Sequence, residues 1–136
     1  MTNDHCFRWN DTNYTYRKQI TISKDMIGGE LEDFPICISI LSDTELSDHS
    51  ESTNGYDIIF YDCQSNLLDH ELNYYDKGSL VVWIKIPEIN NWENKPIHMY
   101  YGKAGVVTDQ STCNTWSNGY VMVFTITRVL IGHAQA

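Results

Sequence analysis

From Leu80 to Ile86 the chain alternates without a break, with Leu80, Val82, Ile84 and Ile86 in one row and Val81, Trp83 and Lys85 in the other. Successive side chains of an extended strand point to opposite faces, whereas a helix repeats every 3.6 residues. A strict period of two over this length therefore specifies a strand with one buried face. The rhythm recurs along the chain. Tyr16 to Ser23 sets Ile20 and Ile22 against Gln19 and Thr21, and Phe34 to Ile40 sets Phe34, Ile36, Ile38 and Ile40 in one row. Tyr56 to Asp62 sets Ile58 and Phe60 against Asp57, Ile59 and Tyr61, and Pro96 to Tyr101 sets Ile97, Met99 and Tyr101 against His98 and Tyr100.

Punctuation between these runs supports the same reading. Pro35 suits a strand start and Pro87 a strand end, because proline cannot donate to a ladder. Asp62 to Asn66 has the composition of a hairpin turn, so Leu67 to Tyr75 is expected to return beside Tyr56 to Asp62. The polar, acidic run from Ser42 to Gly55 reads as a long surface connection. No window of helical length carries an apolar stripe. Short strands joined by turn-rich connections predict an all-β fold, an antiparallel β-sandwich that is jelly-roll-like. With 136 residues, 42% of them hydrophobic, one core suffices. Residues 14–120 are assigned to the sandwich module and 1–13 to an N-terminal extension. Residues 121–136 read as an atypical tail of the kind a truncated or frame-shifted end produces.

Eighteen acidic residues against nine basic ones give a formal charge of −9, and no Lys/Arg cluster interrupts it. Phosphate backbones and anionic membrane surfaces are thereby excluded as partners. Direct membrane insertion is not expected either: Tyr120 to Ile131 is too short for a span and contains Arg128. Met1 to Cys6 lacks a basic segment followed by an apolar run, which predicts a cytoplasmic protein if the chain is complete as given. Cys6, Cys37, Cys63 and Cys113 show no CxxC spacing, so neither a zinc site nor a dithiol redox motif is indicated. Cys37, within an expected strand, reads as a small core or half-buried residue. A Cys6–Cys113 bridge between the chain ends is the disulfide considered.

Candidate chemistry is sparse. Leu68-Asp69-His70-Glu71 juxtaposes an imidazole with two carboxylates, the groups of acid–base catalysis. On a strand, however, His70 shares its face with Leu68 and Leu72, while Asp69 and Glu71 lie about 7 Å apart on the other. A glycosidase pair or a hydrolase using Asp69, His70 and Glu71 is thus the minor reading. Asp57, Asp62, Asp43, Glu45 and Asp48 are oxygen ligands of the kind calcium takes, yet without EF-hand spacing. No nucleophile elbow, phosphate loop or dinucleotide fingerprint is present. The chain is expected not to be an enzyme, with no catalytic residues, metal ligands or cofactors assigned.

The row opposite the core is more informative. If the strands of Trp83 and Tyr100 are near neighbours, these two aromatics together with Lys85, His98 and Tyr75 form one polar face able to stack on sugar rings or peptide side chains. The alternative is that this face packs beneath a loop, a second sheet or an adjoining domain.

An ordered set of motifs adds to this reading: Tyr16-Arg17-Lys18 with Ile20-Thr21-Ile22, Phe34-Pro35, Tyr56-Asp57-Ile58-Ile59-Phe60, Leu68-Asp69-His70-Glu71, Val82-Trp83-Ile84-Lys85-Ile86-Pro87, Met99-Tyr100-Tyr101-Gly102 and Trp116. Between Trp9 and Trp116 the order resembles a family of bacterial and archaeal multidomain proteins, the domain of unknown function numbered 2341. The resemblance implies a module of long surface or envelope proteins, often followed by a concanavalin-like lectin domain and sometimes associated with MotA/TolQ/ExbB-type transport proteins. It supplies no catalytic residues. Residues 125–136 depart from the pattern. The expected function is therefore a noncatalytic accessory module that binds glycan or a surface protein, located outside the cell or in its envelope beside neighbouring domains. The rival is a structural spacer.

Overall fold

A computed structural model describes residues 4–116, 124–126 and 130–135, with side chains for 6–116. Its strands are β1 (Tyr16–Ile22), β2 (Leu31–Ile40), β3 (Ile59–Asp62), β4 (His70–Asp76), β5 (Ser79–Ile89), β6 (Lys95–Tyr101), β7 (Phe124–Ile126) and β8 (Leu130–Gln135). They form two four-stranded sheets, ordered β3-β6-β1-β8 and β4-β5-β2-β7. Pairing is antiparallel except between β2 and β7, which are parallel. Of the strands, only the β4–β5 hairpin keeps consecutive elements in one sheet; every other connection crosses over. The chain is an all-β sandwich, as its alternation predicts. In the run 121–136, β7 joins one sheet and β8 the other; the rest of that run, with Gly119-Tyr120-Val121, lies outside the described residues, as do 1–3.

The core rows fall where the period-two pattern puts them. Ile20 and Ile22, Phe34 to Ile40 on alternate positions, Leu80, Val82, Ile84 and Ile86, and Ile97, Met99 and Tyr101 all meet between the sheets and are buried. A fully buried aliphatic side chain contributes about 1.5–3 kcal/mol. Slipping β5 by one residue would exchange its four for Val81, Trp83 and Lys85, which is why the Ile36↔Ile84 and Ile38↔Val82 register holds.

Pro35 and Pro87 both sit inside strands, contrary to expectation. Lys85 donates its N–H to Asp69 on the β4 side, so Pro35, paired with Lys85, turns its nitrogen away from β5. The β7 ladder on that other side begins only at Ile36. Pro87, two residues after Lys85, faces the β4 side beyond the end of that strand. The ladder to β2 therefore resumes past it at Glu32↔Glu88 and Leu31↔Ile89, with Asp33 opposite in a left-handed conformation (φ 46°). A missing donor costs nothing where no acceptor waits.

The expected β3 hairpin is also revised. The turn at residues 62–66 forms, with Asp62 Oδ1 accepting the N–H groups of Gln64 and Asn66 at 3.0 and 2.9 Å, and a single antiparallel bridge joins Tyr61 and Leu67. The chain then leaves for the other sheet, where β4 pairs with β5, and β3 takes β6 as its neighbour instead. Leu68, His70 and Leu72 face the core from there, so the sandwich interior draws the strand across.

The acidic connection after β2 contains a short helix, α1 (Thr44–His49), capped by Asp43, whose Oδ1 accepts the Leu46 N–H at 2.9 Å. Leu46 is its one buried residue and plugs an end of the core. The loop docks through Asp43 N–H to the Gly78 carbonyl. Gly78 holds φ at +88°, and a Cβ there would strike the Asp43 carbonyl oxygen.

Cysteine pairing differs from the Cys6–Cys113 expectation. Cys6 bonds Cys63, Cys37 is buried and free, and Cys113 is exposed and free. The bond ties the N-terminal segment to the 62–66 turn and draws residues 6–14 across the outer face of the β1/β6/β3 sheet. Trp9, Tyr14, Ile59, Tyr61 and Tyr100 make a second small core there.

Candidate functional site

The face composed of Trp83, Tyr100, Lys85, His98 and Tyr75 does not exist as one surface. Trp83 and Lys85 belong to β5 and Tyr100 and His98 to β6, which lie in different sheets. Both pairs point away from the shared core, so the whole sandwich separates them. Tyr75 takes a third position, partly buried on the inner core, with its hydroxyl donating to the Leu46 carbonyl at 3.5 Å.

Each outer face is covered by the chain itself. Tyr100 is fully buried; its hydroxyl accepts the Asn10 N–H at 2.9 Å, and Trp9, Tyr14 and Tyr61 meet its ring edge-on. Beside it, buried Arg17 donates to the carbonyls of Arg8, Cys6 and Phe7 and lies 5.0 Å from the Trp9 ring centre. His98 is buried too, and burial, followed by the Arg17 charge, holds its pKa down at about 4. On the opposite sheet, residues 109–116 run along β4: Thr112 donates to the His70 carbonyl, and the Leu72 N–H donates to Ser111 Oγ. Trp83, half-buried, packs against Trp116 with centroids 5.2 Å apart, and the Trp116 indole N–H donates to Glu71. Lys85 pairs with Asp69 at 3.5 Å.

The acid–base triplet is likewise dispersed. His70 faces the core against the edge of Phe60, and burial lowers its pKa. Asp69 accepts from the Thr112 hydroxyl and Glu71 from Trp116. The acidic groups considered as calcium ligands serve the chain: Asp57, fully buried, accepts from Ser50, Glu51, Ser52 and Gly102, and Asp62 holds its own turn. Among the described residues no three His, Cys, Asp or Glu side chains gather as a metal site.

A different concavity remains open, a cleft of about 310 Å³ at one end of the sandwich. Its walls are the 62–66 turn, the end of β5 and the β5–β6 loop, with Asp62, Gln64, Asn66, Glu88, Asn90, Glu93, Asn94 and Lys95 at the lining. Both walls are braced. The Cys6–Cys63 bond and the 2.7 Å Asn10–Ser65 hydrogen bond anchor the turn. Buried Asn90 accepts the N–H groups of Trp92 and Glu93 at 3.1 and 3.0 Å, folding the loop on itself. That loop leaves Trp92 61% exposed. Exposed Gln64, Asn66, Glu88, Glu93 and Asn94 thus line the cleft, and the same loop carries the exposed indole of Trp92. Trp92 escapes the period-two pattern because its loop has no periodicity; the signal it does carry is a tryptophan amid three asparagines in Asn90-Asn91-Trp92-Glu93-Asn94.

No curated protein and no solved structure matches the chain. A family model described as a domain of unknown function, DUF2341, matches residues 54–125. That span runs from before β3 into β7 and includes both walls of the cleft, the covering segment 109–116 and more than half of the chain. The protein therefore belongs to the DUF2341 family.

Proposed function

We propose that this chain is a noncatalytic carbohydrate-binding module of a larger surface or envelope protein and that the cleft between the 62–66 turn and the β5–β6 loop receives the glycan. The observation that carries this reading is the exposed Trp92 on the same loop that lines a cleft rich in carboxamide and carboxylate groups. An indole face stacks on the apolar side of a pyranose ring, and Asn, Gln, Asp and Glu groups bond pairs of sugar hydroxyls. Three lining carboxylates, Asp62, Glu88 and Glu93, outnumber Lys95, which favours neutral sugars over uronic or sialic acids. The Cys6–Cys63 disulfide supports a location in an oxidising compartment.

Titration of neutral oligosaccharides, followed by tryptophan fluorescence and by amide chemical shifts, tests the proposal. Binding should perturb residues 62–66 and 88–95, and Trp92→Ala should weaken it at least tenfold at unchanged thermal stability. Failure of every neutral glycan to bind at millimolar concentration would sink the reading, as would binding that Trp92→Ala leaves intact.

A further inference from the structure

The inner row of β1 carries a cation between Tyr16 and Ile20. Lys18 continues the row of Ile20 and Ile22 and is 1% exposed, yet its Nζ lies 2.5 Å from Asp43 Oδ2 and 3.1 Å from Glu45 Oε1. Oδ2 is bonded directly to the carboxyl carbon of Asp43, so the ion pair holds the amine beside that carbon, the proximity an addition requires. Asp43 Oδ1 is independently fixed, because the Leu46 N–H donates to it as the cap of α1. An amine sealed from water, a carboxyl whose two oxygens have different partners, and a second, partly exposed carboxylate beside the amine are therefore assembled together.

We propose that Lys18 and Asp43 condense into an intramolecular amide, with Glu45 as the proton carrier, giving a covalent staple between β1 and the N-terminus of α1. The step begins with transfer of a proton from Lys18 Nζ to Asp43 Oδ2, leaving a neutral amine and a neutral carboxyl. The nitrogen lone pair forms the Nζ–Cγ bond while the π pair of the carbonyl moves onto Oδ1, where the Leu46 N–H stabilises it as an oxyanion-hole donor would. Glu45 removes a proton from the nitrogen and delivers one to Oδ2. The Cγ–Oδ2 bond then breaks with its electron pair, and one water departs. Oδ1 remains as the amide oxygen, still bonded to the Leu46 N–H, and Glu45 is regenerated. No redox change and no co-reactant is involved. The product replaces a buried ion pair, a weak source of stability, with a neutral bond.

Mass spectrometry of the denatured intact chain, after incubation at neutral pH, is the decisive measurement. The expected mass is that of the disulfide-bonded sequence less one water, with a proteolytic fragment in which Lys18 is joined to Asp43. Lys18→Arg keeps the positive charge but cannot form the bond, so it should show the full mass. Glu45→Gln should slow formation by about a hundredfold, the scale of a lost proton-transfer group. Circular dichroism establishes that both variants are folded. Full mass in the wild-type chain overturns the proposal and leaves an ion pair. A water loss that maps elsewhere, or that persists in Lys18→Arg, overturns it as well.

Discussion

Trp9 meets Tyr100 edge-on, with ring centroids 5.3 Å apart and planes at 79°, across a sheet face that strand periodicity alone assigns to solvent. The contact converts one side of β6 from surface into a second core. Tyr14 and Tyr61 complete it, and the hydrogen bonds between Tyr100 and Asn10 close it.

Tyr100 should accordingly act as a structural residue. Replacing it with Phe removes the hydroxyl that joins Asn10 and Arg17 and should cost about 1–2 kcal/mol in urea unfolding. Tyr100→Ala should cost about 3–5 kcal/mol, the scale of a truncated core aromatic. A loss below 1 kcal/mol for the alanine variant would show that the face is open.

The Cys6–Cys63 bond closes a loop with a sequence separation of 57, for which chain entropy gives about 4 kcal/mol. Cys6→Ser should lower stability on that scale and, by freeing the 62–66 turn, weaken any ligand of the cleft. Cys113→Ser should change stability by less than about 0.5 kcal/mol, since that thiol is exposed and unbonded. Thiol titration of the native chain should find Cys113 reacting quickly and Cys37 slowly, because burial both shields Cys37 and raises its pKa.

Trp83 and Trp116 should behave as a coupled pair. Trp83→Ala is expected to cost about 2–3 kcal/mol, less than a full core truncation because the ring is half-buried. A double-mutant cycle with Trp116→Ala should return a coupling of about 1 kcal/mol. Strict additivity would mean that the Cys113–Trp116 turn does not cover β5 in solution.

Acid should weaken the fold as pH falls below about 6.5. His98 is held near 4 by burial and Arg17, whereas an unfolded histidine titrates near 6.5. The unfolded chain therefore takes up the proton first. Its neutral burial contributes in full above pH 6.5, and the contribution, at most about 3 kcal/mol, is lost as pH falls from 6.5 to 4. His70, lowered in the same direction, adds to the slope. Urea midpoints measured from pH 7.5 to 5 should fall less steeply for His98→Asn than for the wild type; parallel curves would contradict the assignment.

Local alternation was enough to identify β1 to β6 and the rows that fill the interior, but not β7 and β8 in the run read as a tail. Burying Ile20 with Ile22, or Leu80 with Ile86, depends only on side chains two apart pointing the same way. It also placed His70 on the core side, apart from Asp69 and Glu71. The opposite rows were another matter. Gln19 and Thr21 stay partly exposed, while His98 and Tyr100 are sealed, yet a period of two cannot distinguish water from a covering strap.

The partition of strands between sheets lay further still from the local pattern. β5 and β6 are consecutive and read as neighbours, but they lie on opposite sides of the sandwich, so Trp83 and Tyr100 never shared a face. Sheet membership follows from crossovers, from the pull of the interior on Leu68, His70 and Leu72, and from a disulfide between residues far apart in the chain. Each is a long-range term that balances burial over the whole molecule. The alternating row opposite the core was thus legible as a row in the amino acids themselves, whereas its being covered, and the opening of a cleft at the end of the sandwich instead, was decided by tertiary packing.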